Sequence, residues 1–574
     1  MHTKPHAPEM KNLILAVVLS TTVLLGWQYL VEEPKRKVAI ERAQIQQAKA
    51  KEEAAKAAAL GVSPTVASSR DDRIAASKRV SILTDAVQGS VNLTGMRMDD
   101  ITLAKHKESL EANAHGVVLL SPAGDKAAYF AEFGWLAGSQ DVKVPTVTTV
   151  WQSEQTQLSS DKPLTAHWDN GEGLRFEQQL KVEDQYLFQV EQRVTNRSDK
   201  PVTLYPYGLI SRSYKDDKKH TYLVHEGPLG VYNQELVDVS YEQLRKDGKQ
   251  TFANTKGWFG VTDKYWLTAI IPSQQEDFTA NVSYFGAEDK DKYQTDYRGK
   301  AITLAPGETA AVTSHFFAGA KEVSLLDYYG EKLGIQLFDR AVDFGSLYFL
   351  TKPIFLMLTG FNQLLGNFGL AILMLTVTIK LLLFPLANKS YRSMNQMKLL
   401  MPRITEIRER CGDDKMRMNQ EIMEMYKREK VNPASGCLPL LIQLPVFFSL
   451  YKVLFVTIEM RQASFYGWIK DLSVADPTNV FNLFGLIDWA PPAMFHIGVW
   501  PLIMCATMVI QQRLNPKPTD PVQAAMMKWM PLFFLVMFSS MPAGLIIYWA
   551  WNNTLSILQQ WVITRGAGTP KSAR

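Results

Sequence analysis

The sequence predicts an α+β multidomain membrane protein: an N-terminal anchor helix, an antiparallel β-sandwich outside the cytoplasm, and a C-terminal bundle of transmembrane helices carrying a cytoplasmic helical hairpin. Three observations lead there. An apolar run of membrane length, Leu13 to Val31, lies near the amino terminus. The long middle region shows short runs that alternate apolar and polar residues, the period of a half-buried strand. After residue 345 come several apolar segments of helix length, one of them with a cation, Lys380, inside it.

Composition narrows the function classes. At 574 residues the chain has room for several domains, and a net charge of +5 is small for that length, which excludes a nucleic-acid binder with a dominant basic face. Cys411, Cys437 and Cys505 are the only cysteines and all lie in the last third, so the middle region has no disulfide framework.

In chain order, residues 1–31 read as a cytoplasmic segment with Lys4 and Lys11, followed by the anchor helix. Glu32-Glu33-Pro34-Lys35-Arg36-Lys37 follows it, where a cleaved signal peptide would show a small-residue site, so the anchor is read as uncleaved. Residues 32–75 form a linker. Ala39 to Leu60 is mostly Ala, Glu, Lys and Gln with no sustained apolar heptad, which makes it a solvated spacer rather than a coiled coil. Residues 76–322 form the β-sandwich, with strands expected at Val144–Trp151, Leu187–Thr195 and Trp266–Pro272. Helical spacing returns over 323–345 through Leu325, Leu326, Tyr329, Leu333, Leu337 and Val342, and is read as an amphipathic helix on the outer membrane surface; a helix packed on the sandwich fits the same pattern.

The membrane helices follow at 346–386, 437–459, 496–512, 526–541 and 543–563, the first of them one long or broken helix containing Pro353 and Gly366-Asn-Phe-Gly369. Between them lie the hairpin 387–436, the outer loop 460–495, the inner loop 513–525 and the tail 564–574. Ala387 to Pro433 holds eleven Lys or Arg against seven acids, and the inner loop and tail are also basic, whereas Glu459 to His496 is poor in cations. The positive-inside rule therefore puts the hairpin and both termini in the cytoplasm and the β-domain outside, although Lys35-Arg36-Lys37 then falls on the wrong side.

Lys380 is the residue most suggestive of function. An intramembrane charge is costly and usually faces a water-filled cavity or the bundle interior, yet the nearby Leu386 also permits snorkelling to the cytoplasmic face. Lys452, beside Glu459 and Arg461, is read as snorkelling outward. Thr376, Thr378, Gln443, Tyr548, Trp549, Asn552, Asn553 and Thr554 also lie at membrane depth, where uncharged polar groups commonly serve as interhelical hydrogen-bonding glue. The hairpin sequences, Ser390 to Arg410 and Lys415 to Lys430, mix basic residues with methionines, among them Met394, Met397, Met418 and Met423. Polarizable Met suits a surface that accepts varied apolar partners, and equally the seam of an ordinary hairpin. In the β-domain, His220, His225 and Glu226 match no metal or triad spacing, and there is no P-loop, dinucleotide loop or nucleophile elbow. No enzyme activity, cofactor or metal is expected.

An ordered series of motifs then carries a resemblance. Phe384-Pro385-Leu386 after a cation, Gly412-Asp413-Asp414-Lys415, Lys430-Val-Asn-Pro with Gly436-Cys-Leu-Pro439, Leu441-Ile-Gln-Leu-Pro445, Asp471-Leu472 and Pro542-Ala-Gly-Leu545 together resemble the Oxa-type family of bacterial membrane protein insertases, in its Gram-negative form with a large periplasmic domain. The aromatic stretch Trp258 to Pro272 is the distinctive part of the middle region, which resembles the galactose-mutarotase-type fold without implying that activity. The resemblance implies a five-helix insertase core in the bacterial inner membrane. Its hydrophilic groove would be lined by Lys380, Gln443, Thr376 and Tyr548 or Trp549. Substrates would first be captured on the hairpin through Met394, Met397, Arg403, Met418 and Met423. It further implies nascent inner-membrane proteins as substrates, membrane lipid, the Sec translocon, the ribosome and the signal-recognition receptor as partners, and no direct nucleic-acid contact. Relatives commonly carry Arg where this chain has Lys380, which keeps the charge but loses the bidentate fork.

Two other classes compete. A secondary transporter would show internal repeats and paired discontinuous helices, which the spans lack. A membrane-anchored carbohydrate-processing domain would leave the region after residue 345 without a role.

Overall fold

The computed structural model describes residues 69–214, 224–287, 290–412, 414–429, 431–432, 438–487, 489, 496–515 and 521–566. The expected anchor 1–31, nearly all of the linker 32–75 and His220 lie outside the described residues. The chain divides into Met1–Ala76 and Ser77–Arg574. Of the first unit only its end is described, the short helix α1 (Arg70–Ala75), whose start is closed by a reciprocal cap between Ser69 and Asp72.

The second unit begins with two β-sheets. The larger, of 11 strands, runs from Lys249–Thr255 through Phe278–Ala287, Lys290–Arg298, Val202–Ser213, Tyr129–Ala137, Arg97–Lys107, Val87–Asn92 and Arg79–Leu83 to Gln157–Leu158, with Ile302–Leu304 and Gly116–Leu120 attached. The smaller, of 8, runs from Glu235–Asp238 through Gly227–Tyr232, Gly257–Thr262, Trp266–Ile271, Thr309–Ala320, Leu187–Asn196 and Leu174–Val182 to Leu164–Asp169. Pairing is antiparallel except where Arg79–Leu83 meets Gln157–Leu158. Leu174–Val182 shows why the sequence alternates: Leu174, Phe176, Gln178, Leu180 and Val182 are buried between the sheets while their neighbours face outward. Helix α2 (Tyr241–Asp247), capped by Ser240, closes one edge.

Two expectations fail locally. Val144–Trp151 is no strand but an irregular segment, joined to the sheet only by the bridge from Val150 to Thr94. Pro145 lacks an amide proton, and the Thr149 hydroxyl accepts from the Thr146 N–H at 2.8 Å, so a local turn replaces ladder pairing. The helical pattern over 323–345 yields only α3 (Val323–Leu333), stopped by Gly334 at φ 65°, and a 3-10 turn, Phe338–Ala341. The buried face of α3, Val323, Leu326 and Tyr329, joins the sandwich core, and Tyr329 meets Phe317 edge-on. The buried face of this part of the segment is therefore packed on the sandwich, the alternative that the sequence pattern also fitted.

The expected span 346–386 is likewise two helices. Helix α4 (Tyr348–Leu365) ends at Gly366, whose φ of 67° suits a residue without a Cβ, and Asn367 then caps α5 (Phe368–Leu382) by accepting from the Leu370 N–H at 3.0 Å. A bend of 68° separates α5 from α6 (Phe384–Cys411), where Pro385 removes an amide donor and its ring obstructs the preceding turn. Helix α6 starts three residues before the expected hairpin and pairs with α7 (Lys415–Arg428). Then come α8 (Leu438–Val456), α9 (Val499–Leu514), α10 (Pro521–Phe538) and α11 (Ala543–Gly566).

Helix α4 packs on α5 and α8, α5 on α11, and α9 on both α10 and α11. Ile372, Leu375, Leu450, Leu454 and Ile547 belong to the same buried cluster as the sandwich interior, so apolar packing continues from one part to the other. No single helix among the described residues is long and apolar enough to cross a membrane alone; the bent pair α5–α6 qualifies together, and the apolar stretches Leu441–Val456 and Ala524–Phe538 are shorter.

Charged contacts join sandwich to helices. Lys452 on α8 pairs with Asp343 at 2.8 Å. Lys264 lies 3.7 Å from the Phe455 ring centre, and Arg461 donates to the Lys107 carbonyl at 2.6 Å while stacking 5.5 Å from the Trp266 ring. The aromatic stretch Trp258 to Pro272 thus lies at this joint.

Candidate functional site

The helical region places polar groups where its sequence is otherwise apolar. Helix α11 carries Tyr548, Asn552 and Ser556 at four-residue spacing, which sets all three on one face, and all three are buried. Two neighbouring helices reach this stripe. From α8, the Gln443 amide donates to the Tyr548 hydroxyl. From α5, the Lys380 ammonium donates to Ser556 Oγ at 2.8 Å, and Ser556 in turn donates to the Asn552 carbonyl at 2.8 Å. The Tyr391 side chain on α6, just past the bend, also bonds Ser556. The two ends of the stripe lie eight residues apart, about 12 Å along a helix.

Lys380 is half-buried, and among the described residues no carboxylate lies within ion-pair reach of it. Its ammonium is directed at a neighbouring helix, the arrangement expected of an interior cation rather than of one snorkelling along its own helix. The Asn552 side-chain oxygen is buried without a hydrogen-bond partner among the described residues, and so are Ser449 Oγ, the Tyr451 hydroxyl and Gln512 Nε2. Several open hydrogen-bonding positions in one bundle are what a site receiving polar groups would have, because a closed structural network leaves few unsatisfied.

The other sequence-predicted residues fall elsewhere. Thr376 is buried, but its hydroxyl donates to the Ile372 carbonyl at 2.7 Å and is spent within its own helix. Trp549 faces away from the stripe into an aromatic cluster, with Phe447 at 4.7 Å and Phe538 at 5.1 Å between ring centres. Of the two residues offered for that lining position, Tyr548 is the one on the polar face. Asn553 donates to Thr507 on α9 at 3.2 Å, an ordinary interhelical tie. Sequence reasoning missed Ser556 and Tyr391; the four-residue step from Tyr548 through Asn552 was the available signal for the first.

In the hairpin, the seam between α6 and α7 is built from Leu400, Ile404, Met425 and Val431, with Met397 and Met401 packed against it. Met394 is buried with Tyr391 and Ile563 of α11. Met394 is thus covered, whereas Met397 is half-buried against the seam. Met423 is exposed, as is Met416; Met418 is half-buried. Arg403 pairs with Glu429 at 2.8 Å across the hairpin and remains largely exposed.

In the sandwich, His225 Nε2 lies 2.9 Å from the Pro228 carbonyl, a local structural contact. Among the described residues no group of three or more His, Cys, Asp or Glu is placed to hold a metal ion. At the joint, the Glu459 carboxylate accepts from the Val323 N–H at 3.2 Å at the start of α3, while its second oxygen is buried without a partner among the described residues. Burial pushes that carboxyl up to about 7, with the nearby Glu322 adding to the rise against the two backbone amides that bond it.

Comparison with known proteins bears on both halves. A family model described as the 60Kd inner membrane protein matches residues 360–570, and one described as the YidC periplasmic domain matches 79–357. The chain is 47% identical over 557 residues to the membrane protein insertase YidC of Rickettsia bellii, covering 96% of this chain and 98% of that one. It is also 47% identical over 559 residues to the protein of the same name from Rickettsia canadensis, covering 97% and 99%. Among solved structures, a YidC insertase with its first transmembrane domain resolved covers 84% of this chain and 92% of its own, at 16% identity and a TM-score of 0.35.

Proposed function

The chain belongs to the YidC family of membrane protein insertases, and from that premise we propose that it inserts nascent inner-membrane proteins into the lipid bilayer and assists their folding. The observation that carries the reading is the polar stripe of α11, reached by Lys380 and Gln443 inside a bundle whose outer surface is apolar.

A hydrophobic segment is first held on the cytoplasmic hairpin. Its exposed methionines, Met423 and Met416, offer apolar contact, and Arg403 with the surrounding cations attracts acidic flanks. The polar tail of the segment then occupies the interior face of Tyr548, Asn552 and Ser556, exchanging the Lys380–Ser556 bond for its own contacts. The apolar part passes between helices into lipid, and its burial drives the process at about 25 cal/mol per Å² of apolar surface. No covalent step is required.

Helix α5, with 15 residues, spans only about 22 Å against a hydrocarbon core of about 30 Å. Short apolar helices around a polar interior favour local thinning, which lowers the barrier for a polar tail. In this reading five segments of the C-terminal region cross the inner membrane, α4 lies at its outer side, and the sandwich is periplasmic. The anchor crosses once, and both termini are cytoplasmic. The Sec translocon, the ribosome and the signal-recognition receptor are the partners that such a hairpin and a path between the helices into lipid would serve.

Depletion of the resident insertase in a Gram-negative host and complementation by this chain tests the function. Restored insertion supports it, and failure by a well-expressed chain refutes it. Crosslinking from a photoreactive residue at Gln443 to a stalled nascent chain tests the path, and insertion without any crosslink places the path elsewhere.

A further inference from the structure

In the loop between α8 and α9, residues 473–487 invert the usual pattern of an exposed segment, with Asp476 and Asn479 inside and large apolar side chains out. Asp476, 1% exposed, accepts from Trp468 Nε1 at 3.0 Å, from the Thr478 N–H and hydroxyl, and from the Trp500 N–H at 2.9 Å; between Ser473 and Ile487 it is the sole charged residue. Asn479, also buried, accepts from the Phe481 N–H at 3.0 Å. Above this base, Phe481, Leu483, Phe484, Leu486 and Ile487 are exposed, Leu486 at 85%.

Four amide groups of this turn are satisfied within it. The Leu483 N–H donates to Val480, that of Phe484 to Asn479, that of Leu486 to Leu483 and that of Ile487 to Asn482, at 2.9 to 3.3 Å. In water such internal bonding is optional; in the apolar boundary of a bilayer it is what lets irregular backbone enter at all. Leu483 and Phe484 also hold φ of 49° and 61°, a left-handed pair that costs about 1–3 kcal/mol per residue for bulky side chains and that turns both outward. Strain spent on exposing Leu and Phe to water has no return, whereas burial of those side chains in lipid offsets it.

We infer that this turn is a lipid anchor: Phe481 to Ile487 seat their side chains at the headgroup–acyl boundary of the outer leaflet, fixing the outer ends of α8 and α9 at a set depth. The occupant is lipid because residues 481–487 carry no charge for a polar partner to recognise, and the two helices that the loop joins expose apolar faces as well, Leu441, Leu444 and Phe448 on α8 and Leu502, Ile503 and Ile510 on α9. The inference rests on the membrane-spanning reading of α8 and α9.

The test uses full-length chain with Cys411, Cys437 and Cys505 changed to Ser, and a single Leu486→Cys, Phe533→Cys or Val147→Cys labelled with an environment-sensitive fluorophore. Leu486 is almost fully exposed, so labelling it leaves the fold intact; Phe533 lies on the exposed face of α10 and Val147 on the sandwich surface. Each protein is placed in nanodiscs of phosphatidylethanolamine and phosphatidylglycerol, with lipids carrying doxyl near the headgroup or deep in the chain, or with iodide in the water. The Leu486 label should be quenched at least about twofold by shallow doxyl and several-fold less by iodide than the Val147 label. Iodide quenching equal to that at Val147 overturns the anchor. So does a label shielded from both quenchers, which would mean that protein covers the turn. If the Phe533 label escapes deep doxyl as well, the membrane-spanning reading itself has failed; if Phe533 is quenched and Leu486 is not, only the anchor has.

Discussion

Glu459 is the point at which the joint between sandwich and helices should respond to pH. Its carboxyl is held near 7, against 4.5 for an ordinary glutamate, chiefly by burial. The folded joint therefore keeps a proton that the opened joint releases. Below about pH 4.5 both forms are protonated and the contribution is fully present; it is lost as pH rises toward 7, and is constant above that. The shift of about 2.5 units corresponds to about 3 kcal/mol across this window. Amide hydrogen exchange of the first turn of α3, corrected for intrinsic rates, reads the opening free energy locally, which suits a chain this large better than a global transition. Protection at Val323 should fall by on the order of 100-fold between pH 5 and pH 7.5. In Glu459→Gln, whose side-chain carbonyl keeps the acceptor for Val323, the profile should be flat. An unchanged slope in Glu459→Gln would refute the assignment, since the titrating group would then lie elsewhere.

Three further outcomes follow from the same structure. Asp343→Asn and Lys452→Met should each loosen the joint, and the double variant should lose less than the sum of the two by about 1 kcal/mol; strict additivity in the α3 exchange experiment would mean that the pair is uncoupled. Trp258→Phe removes the indole that donates to the Gln336 carbonyl at 3.0 Å and should cost about 1–3 kcal/mol, read as faster proteolysis of the sandwich at sub-denaturing urea, with an unchanged rate counting against it. Tyr548→Phe deprives the Gln443 amide of its acceptor; at the 0.6–1.7 kcal/mol typical of such bonds in membranes, insertion of polar-tailed substrates should slow about 3- to 18-fold while tail-less substrates are unaffected.

Much of this organisation was legible in the residues because strong patterns produce it. The alternation at Leu187–Thr195 became a strand because it puts one apolar face between the sheets, whereas the strand Trp266–Ile271 is buried on both faces from Leu267 onward. Lys380 was conspicuous because a charge amid Leu and Ile needs a reason. Its partner was not, because a serine in a mixed helix looks like any other, and the step of four from Tyr548 acquires meaning only when α5 and α8 are seen to face it. The methionines illustrate a different limit: composition marks the hairpin, but only packing separates Met394, which is covered, and Met397, which is half-buried against the seam, from Met423, which is open. The division of 346–386 is written in Gly366-Asn367, a helix stop followed by a cap, and it resolves the choice between one long and one broken helix that the apolar residues on both sides had left open. The joint through Lys452, Arg461 and Glu459 was the least legible feature, since its partners lie more than a hundred residues apart in the chain.

The central claim is that Lys380 serves as the interior cation that meets the polar tail of an inserting segment. Its most direct measurement is insertion in the depleted host by Lys380→Arg, Lys380→Ala and Lys380→Glu, with one substrate whose translocated tail is acidic and a matched one whose tail is neutral. Lys380→Arg should retain insertion of both, whereas Lys380→Ala and still more Lys380→Glu should lose the acidic-tailed substrate preferentially, by about 10-fold or more for the charge reversal. Equal insertion of the acidic-tailed substrate by all three variants would contradict the role assigned to Lys380.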